Sequence, residues 1–166
     1  MLKQSLIALF LVLFFSCTTR YSMSGGSTPP NAKTFSVDYF TVRAPLADPN
    51  YGQLVTEGLK DLLLNQTRLS LVDNNGDIHF EGEVSRYEIF PVAASGDEVS
   101  TRNRLTVGIK LRYFNTLEPE KDKQITLSQF EDFEAAEDFG TEEESLIESI
   151  NEKILQDIYD QTLGDW

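Results

Sequence analysis

Apolar and polar side chains alternate along three segments of the chain, which is the pattern of β-strands that bury one face. The first segment spans residues 35–39, the second residues 78–85 and the third residues 105–113. The third is the clearest, because every second residue from Leu105 to Tyr113 is apolar. We therefore predict three strands, and the polar positions of each are expected to face the solvent.

A fourth strand is predicted from Ile125, after a charged turn over residues 118–123. Its apolar positions change parity between Leu127 and Phe130, which indicates a β-bulge between these two residues. Residues 91–103, between the second and third strands, are rich in Gly, Ser and acidic residues and predict a polar loop.

Two further segments carry apolar residues at helical spacing. The first helix is predicted to start with Asp48 as N-cap and Pro49 at the first helical position, and to end near Asn65. The second is predicted to start at a capping box formed by Thr141 and Glu144. The apolar faces comprise Tyr51, Leu54, Val55, Leu59, Leu62 and Leu63 in the first helix, and Leu146, Ile147, Ile150, Ile154, Leu155 and Ile158 in the second.

The predicted elements follow one another in the order β-α-β-β-β-α. This order predicts an α+β fold, a two-layer sandwich in which two amphipathic helices cover one face of a four-stranded mixed sheet. The first two strands are joined through a helix and can pair in parallel by a right-handed crossover. The last three strands are expected to form an antiparallel meander.

The first residues of the chain have the organisation of a secretory signal. Lys3 supplies a positive charge, residues 6–15 are apolar, and Ser16 precedes Cys17, the only cysteine. The apolar stretch is too short to span a bilayer as a helix, which takes about 20 residues. The segment that ends at Cys17 resembles the lipobox of bacterial lipoproteins, in which the cysteine is acylated and the chain is cleaved before it.

We therefore predict three regions: residues 1–16 as a lipoprotein signal peptide, residues 17–32 as the acylated Cys17 and a flexible tether, and residues 33–166 as one folded domain. The tether is rich in Ser, Gly and Pro, a composition typical of flexible linkers. Acyl chains on Cys17 would anchor the protein to a membrane without a transmembrane helix. The alternative is an ordinary secretory signal with an incidental cysteine.

The chain is acidic, with 14 Lys and Arg against 27 Asp and Glu, and a formal net charge of −13. Removal of residues 1–16 takes away Lys3 and no acidic residue, so the charge of the mature chain becomes −14. A mean field of this sign repels phosphate groups, which argues against nucleic acid as a partner.

Catalytic and metal-binding motifs are scarce. His79, the only histidine, lies on the polar face of the second strand and is interpreted as a surface residue, with a hydrolase built around it as the alternative. Asp73, Asn75 and Asp77 imitate the start of an EF-hand loop, but the glycine that such a loop requires is missing. We interpret this segment as a turn and predict no enzymatic activity, no metal and no cofactor.

Charged residues on the second and third strands have a simple structural interpretation. Glu81 and Glu83 share the outer face of one strand, and Lys110 and Arg112 share the outer face of the next. If the two strands pair as neighbours, these side chains face each other across the sheet. We therefore predict cross-strand ion pairs between them.

Three arginines flank the predicted loop that joins the second and third strands. Arg86 leaves the second strand, and Arg102 and Arg104 enter the third, so a hairpin would gather them at one tip. Arginine is the side chain best suited to bidentate recognition of phosphate. These residues are the candidate contact for a phosphate-bearing ligand, and the alternative is that they balance neighbouring acids.

Several blocks of the sequence together resemble the LptE-like lipopolysaccharide-assembly lipoproteins of Bacteroidetes-type bacteria. The blocks extend over the tether and the whole folded region, so their combination is more specific than any one of them. They are residues 21–30, 33–40, 43–46, 66–69, 76–83, 103–107 and 157–159, and Trp166.

The resemblance implies a two-layer α/β domain in a non-enzymatic outer-membrane lipoprotein that faces the periplasm. The role it implies is to assemble and plug the β-barrel lipopolysaccharide (LPS) translocon, an LptD-like partner, and to assist LPS transport to the outer leaflet. LPS is a further implied partner, and Arg86, Arg102 and Arg104 are its candidate contact from the residue pattern, not from a family motif. The alternative is a periplasmic lipoprotein that binds a small ligand or another envelope assembly complex.

Overall fold

A computed structural model of the chain describes residues 29, 31–92, 102–136 and 138–164. The predicted signal peptide, Cys17 and most of the tether lie outside these residues. The described elements are β1 (Thr34–Val37), β2 (Thr41–Val42), α1 (Tyr51–Gln66), β3 (Ser70–Leu71), β4 (Ile78–Val92), β5 (Arg102–Asn115), β6 (Lys123–Glu134) and α2 (Phe139–Thr162), with a short 3-10 turn at Pro119–Lys121.

The strands form one mixed sheet in the order β3-β1-β4-β5-β6, and β2 pairs with β4 beside β1. β1 runs parallel to β4, as the helical connection between them indicated. β4, β5 and β6 form the predicted antiparallel meander. The α+β class is confirmed, and the described part of the sheet has six strands instead of four because β2 and β3 add two short parallel segments.

A single apolar core lies between the sheet and the two helices. Its centre is formed by fully buried side chains from β1, α1, β4, β5 and α2: Phe35, Leu59, Leu63, Ile78, Phe80, Val84, Leu105, Ile109, Leu111, Ile150, Ile154 and Ile158. The alternation in β4 and β5 and the helical spacing in α1 and α2 therefore direct most of the apolar residues to the same interior, whereas Leu54 of the predicted α1 face is 46% exposed. Neither of the described helices is long and apolar enough to cross a membrane.

The hairpin of β4 and β5 is longer than the alternation predicted. Pro91, Val92 and Asn103 belong to strands, so the predicted loop over residues 91–103 is shorter than expected, and residues 93–101 lie outside the described part. Asn103 pairs with Pro91 across the ladder. Pro91 and Asn103 are residue types typical of loops, and this is why the sequence pattern placed the boundary too early.

The predicted bulge in the fourth strand is wrong. β6 pairs with β5 in regular register through Leu127 and Phe130, and the shift of register lies in β4, between Val84 and Arg86. The apolar parity of β6 changes for another reason. Its inward positions beyond Leu127 include Gln129, whose amide donates a hydrogen bond to Asp157 of α2, while Phe130 faces outward.

Both helices begin at residues other than those predicted. The N-cap of α1 is Asn50, and the carboxylate of Asp48 accepts a hydrogen bond from the Asn50 N–H at 2.7 Å. The N-cap of α2 is Asp138, which accepts a hydrogen bond from the Gly140 N–H, so the capping box at Thr141 is wrong. Asp138, three residues before Thr141, provides a hydrogen-bond acceptor earlier in the chain, and α2 begins there.

Candidate functional site

The face of the sheet opposite the core carries ion pairs between neighbouring strands. Glu81 is in register with Arg112, and Glu83 is in register with Lys110. Glu81 forms an ion pair with Arg112, and Glu83 Oε1 lies 3.4 Å from Lys110 Nζ. The predicted cross-strand pairs are confirmed, and because they are partly exposed each contributes at most about 1 kcal/mol to stability.

At one end of this face, the parallel pairing of β1 with β4 brings four polar residues together, which we call the histidine cluster: Ser36, Asp38, His79 and Glu81. Ser36 is in register with His79, and its Oγ lies 2.8 Å from His79 Nδ1. His79 Nε2 lies 3.6 Å from Asp38 Oδ2 and 3.5 Å from Glu81 Oε1. The imidazole therefore has a hydroxyl on one nitrogen and two carboxylates on the other.

His79 is less exposed than the surface position predicted for it. Its side chain retains 20% of its accessible surface, and its ring stacks on Phe114 with 5.9 Å between ring centroids. Ser36 is fully buried, and its Oγ accepts a hydrogen bond from the Gly76 N–H at 3.0 Å. A buried hydroxyl that already accepts a backbone hydrogen bond is not accessible to a substrate. Ser36 of the histidine cluster is therefore not a candidate nucleophile.

The segment that imitates an EF-hand loop forms a tight bend, in agreement with its interpretation as a turn. Asn75 has φ of 55°, in the left-handed region that asparagine tolerates. The Asp77 carboxylate accepts hydrogen bonds from the N–H groups of Lys33 and Thr34 at 2.9 and 3.0 Å. These backbone donors lower the pKa of Asp77 below its usual value. The carboxylate therefore holds the start of β1 in place.

At the other end of the outer face, β5 and β6 form what we call the arginine cluster: Arg102, Arg104, Phe130, Asp132 and Glu134. Arg104 donates two hydrogen bonds to the Asp132 carboxylate, at 2.6 and 2.9 Å, and its guanidinium lies 3.7 Å from the centre of the Phe130 ring. Arg102 Nε lies 3.3 Å from Glu134 Oε1. The hydrogen bond from Arg104 lowers the pKa of Asp132.

The structure brings two of the three candidate arginines together and leaves the third apart. Arg102 lies at the described end of the hairpin, and Arg104 follows two residues later on the same face. Arg86 is in register with Gly108, in the middle of the hairpin, and its Nε lies 3.7 Å from Glu88. All three guanidinium groups are within ion-pair distance of a carboxylate, so a phosphate would have to compete for them.

Sequence reasoning missed Asp38 in the histidine cluster, and Phe130 and Asp132 in the arginine cluster. Asp38 was assigned to the first strand, with no link to His79, although parallel pairing of β1 with β4 predicts that both lie on the same face. Asp132 and Phe130 were missed because the bulge predicted in β6 made it uncertain which face of the sheet their side chains occupy. A regular β5–β6 register, counted from the turn at Pro119–Lys121, would have placed both beside Arg104.

A groove of about 680 Å³ lies between the start of α1 and residues 140–152 of α2. Its walls carry carboxylates and contain the phenol of Tyr51, whose buried oxygen has no hydrogen-bond partner among the described residues. Burial raises the pKa of Tyr51 above its usual value. The acidic residues that line the groove are Asp48, Glu143, Glu144, Glu148 and Glu152.

Several solved structures share this fold. A minor lipoprotein from Acinetobacter baumannii is 15% identical, with a TM-score of 0.52 over 78% of this chain and 91% of that one. A neuraminyllactose-binding hemagglutinin homolog from Helicobacter pylori is 11% identical, with a TM-score of 0.53 over 86% and 89%. Lipoprotein B from Nitrosomonas europaea is 16% identical, with a TM-score of 0.50 over 87% and 88%. At these identities the likeness shows the fold alone.

The sequence itself gives the more specific assignment. No curated protein sequence matches the chain significantly. The family model described as LptE, lipopolysaccharide-assembly, matches residues 32–162, which cover the folded domain from the residue before Lys33 to the last residue of α2. The chain therefore belongs to the LptE family of lipopolysaccharide-assembly proteins, and the resemblance noted from the sequence blocks is confirmed.

Proposed function

We propose that this protein is a non-enzymatic, lipid-anchored outer-membrane subunit that assembles and plugs the β-barrel LPS translocon and assists LPS transport to the outer leaflet. The observation that carries the proposal is the family match over residues 32–162, which extends over both the hairpin and the two helices. The partner is an LptD-like barrel, and the mechanism is binding within its lumen, which supports folding of the barrel and blocks leakage.

The dimensions of the β4–β5 hairpin support this role. β4 has 15 residues and β5 has 14. At about 3.4 Å per residue such strands are roughly 50 Å long, which exceeds the ~30 Å hydrocarbon thickness of a bilayer. The outer face of the hairpin carries the ion pairs of Glu81 with Arg112 and of Glu83 with Lys110. A long hairpin with a polar face suits the water-filled interior of a large barrel.

The anchor follows from the N-terminal segment. Acyl chains on Cys17 would hold the protein at the inner leaflet of the outer membrane, with the domain in the periplasm. Residues 17–32 can extend by at most about 50 Å, from roughly 3.3 Å per residue. A tether of this length lets the domain reach a barrel in the same membrane while the lipid stays inserted.

The arginine cluster is our proposed contact for LPS phosphates, together with Arg86 further along the hairpin. The chain as a whole is acidic, so a phosphate would be attracted only by a local positive group. The Arg102 side chain is 49% exposed, more than the 35% of Arg104, which makes it the more accessible arginine of the cluster. A lipid phosphate would displace this carboxylate, since exposed ion pairs are weak.

Affinity purification tests the translocon role. A C-terminally tagged, acylated chain is isolated from mildly solubilised outer membranes, and the copurifying proteins are identified by mass spectrometry. We expect a large β-barrel in near-stoichiometric amount. Recovery of the protein alone, or with an unrelated envelope complex, would contradict the proposal and favour the alternative of a general lipoprotein binding module.

The anchor is tested separately with Cys17→Ala. We expect this variant to lose acylation and to be released from the membrane fraction, while its circular dichroism stays that of the folded domain. A Cys17→Ala chain that still fractionates as an acylated membrane protein would show that the lipid assignment is wrong.

A further inference from the structure

The histidine cluster joins one imidazole to two carboxylates in a way that the proposed translocon role does not use. One ligating atom from each of Asp38, His79 and Glu81 can be chosen so that the three lie within 4.8 Å of one another. We propose that these three residues bind one zinc ion, through His79 Nε2 and one carboxylate oxygen from each acidic residue.

The distances from the imidazole nitrogen to the two carboxylates match tetrahedral zinc. Zinc bonds to imidazole nitrogen and carboxylate oxygen are about 2.0–2.2 Å long, so neighbouring ligands of a tetrahedron are roughly 3.4 Å apart. His79 Nε2 lies 3.6 Å from Asp38 Oδ2 and 3.5 Å from Glu81 Oε1. Octahedral Mg²⁺, with bonds of about 2.1 Å, requires neighbouring ligands near 3.0 Å and prefers oxygen to nitrogen.

The hydrogen bond between His79 Nδ1 and Ser36 Oγ orients the imidazole for zinc binding through Nε2. A zinc ion on Nε2 requires the proton of the neutral ring to be on Nδ1, which then donates to Ser36 Oγ at 2.8 Å. The hydroxyl oxygen has two lone pairs and can accept this bond together with the one from the Gly76 N–H. Such a partner on the second nitrogen is the usual support of a zinc-bound histidine.

Groups outside the cluster hold the Glu81 side chain and the backbone of Asp38. Glu81 forms its ion pair with Arg112 through Oε2, which leaves Oε1 directed toward His79. The Asp38 N–H donates to the Phe80 carbonyl at 2.9 Å, so the backbone that carries this carboxylate is fixed to β4. The ion would therefore connect the segment after β1 to β4 without movement of the main chain.

Space for a fourth ligand is present on the solvent side. The Asp38 side chain is 51% exposed, and a cavity of about 580 Å³ lies beside Asp38 and Glu81. Three protein ligands and one water are the arrangement of a zinc site with an open position. Zinc here would be exchangeable and able to accept an anionic oxygen in place of the water.

The chain is favourable for a direct measurement. It contains one histidine, His79, and one cysteine, Cys17, which the lipid would block. The acylated mature protein is purified in detergent through a histidine-free tag, stripped with a chelator and titrated with ZnCl₂ by calorimetry. We expect one zinc ion per chain with micromolar affinity, a shift of the single imidazole NMR signal, and a higher Tm in the presence of zinc.

Single-residue variants distinguish zinc binding at this site from non-specific attraction of zinc to an acidic surface. Asp38→Asn and His79→Ala are each expected to weaken zinc binding by about 10-fold or more. Glu83→Gln is the matched control, because Glu83 is a carboxylate on the same face of β4 but is paired with Lys110 and lies outside the cluster. Its binding is expected to stay within about 2-fold of the unmodified chain.

Three results would overturn the proposal. They are an Asp38→Asn chain that binds zinc like the unmodified one, a Glu83→Gln chain weakened as strongly as Asp38→Asn, or a stoichiometry other than one. Because Asp38 is half exposed, its asparagine variant is expected to fold, and circular dichroism checks this. Co²⁺ gives an independent readout, since a tetrahedral site produces intense visible bands and an octahedral spectrum would contradict the assigned geometry.

Discussion

The two faces of the sheet differ in what they contribute to the stability of the domain and to recognition. On the inner face, Phe80, Ile109 and Leu111 have no accessible surface and pack against the helices. On the outer face, charged residues such as Glu83 and Lys110 meet across strands while a third to a half of each side chain stays exposed. The free energy of unfolding therefore depends mainly on the inner face, and the outer face can be altered for recognition without loss of the fold.

The largest effect is expected for truncation of an inner aromatic residue. Phe80→Ala removes a fully buried ring that packs edge-on against Tyr113, with 5.5 Å between centroids. We expect the free energy of unfolding to fall by about 3–5 kcal/mol, measured by urea denaturation. Phe90→Ala is the matched control on the same strand, since Phe90 is 57% exposed, and its effect is expected to stay below about 0.5 kcal/mol. Equal losses would show that the two faces do not differ.

The inner face should also resist added volume. A methyl group at Gly82 would lie 2.1 Å from Cε1 of Phe40, which is itself fully buried. Gly82→Ala is therefore expected to cost about 1–3 kcal/mol through displacement of the ring. In the control Gly140→Ala, the new methyl group meets only Asp138 at ordinary contact distance, so unfolding should change little. A tolerated Gly82→Ala would mean that the Phe40 contact is loose.

Ser36 is an exception to the difference between the two faces, because it lies on the outer face and is fully buried. Ser36→Ala leaves the Gly76 N–H without its acceptor and removes the partner of His79 Nδ1. We expect a loss of about 1–2 kcal/mol in thermal or urea unfolding. Ser85→Ala, which removes a longer bond of 3.3 Å to the Gly108 carbonyl, should cost less. The reverse order would contradict the role assigned to the buried hydroxyl.

The smallest effect is expected in the arginine cluster and should depend on pH. The pKa of Asp132 is lowered by its hydrogen bond with Arg104, so its stabilising contribution is present above the ordinary Asp pKa of about 4 and is lost as pH falls through the lowered value. Asp132→Asn should therefore cost less than about 1 kcal/mol at about pH 7, and the difference from the unmodified chain should shrink at about pH 3. A difference that grows on acidification would contradict this sign.

Much of the fold could be predicted from the periodicity of the sequence. The alternation in β4 and β5 placed the core, and the pairs of Glu81 and Glu83 with their basic partners followed from it. The register of β6 was not predictable in the same way. Gln129 and Phe130 reverse the expected polarity, because the first bonds α2 and the second lies under the guanidinium of Arg104.

The candidate sites depended on tertiary pairing that local pattern does not contain. Asp38 and His79 are about forty residues apart in sequence and meet because β1 runs parallel to β4. The acidic partners of Arg102 and Arg104 come from β6, whereas the acids considered from the sequence belong to the predicted loop between the second and third strands. Sequence reasoning identified the basic residues, but the identity of their partners required the strand order.

The bulge in β4 has a consequence for how the hairpin can vary among related proteins. Val84 faces Ile109 and Arg86 faces Gly108, so Ser85 is the residue without a counterpart in the ladder. Deletion of Ser85 would leave a regular ladder with every side chain on its present face, whereas deletion at another position would exchange inside for outside along the rest of the strand. Evolution can therefore change the length of β4 by one residue at Ser85 while the buried and exposed sets on both sides of it are inherited intact.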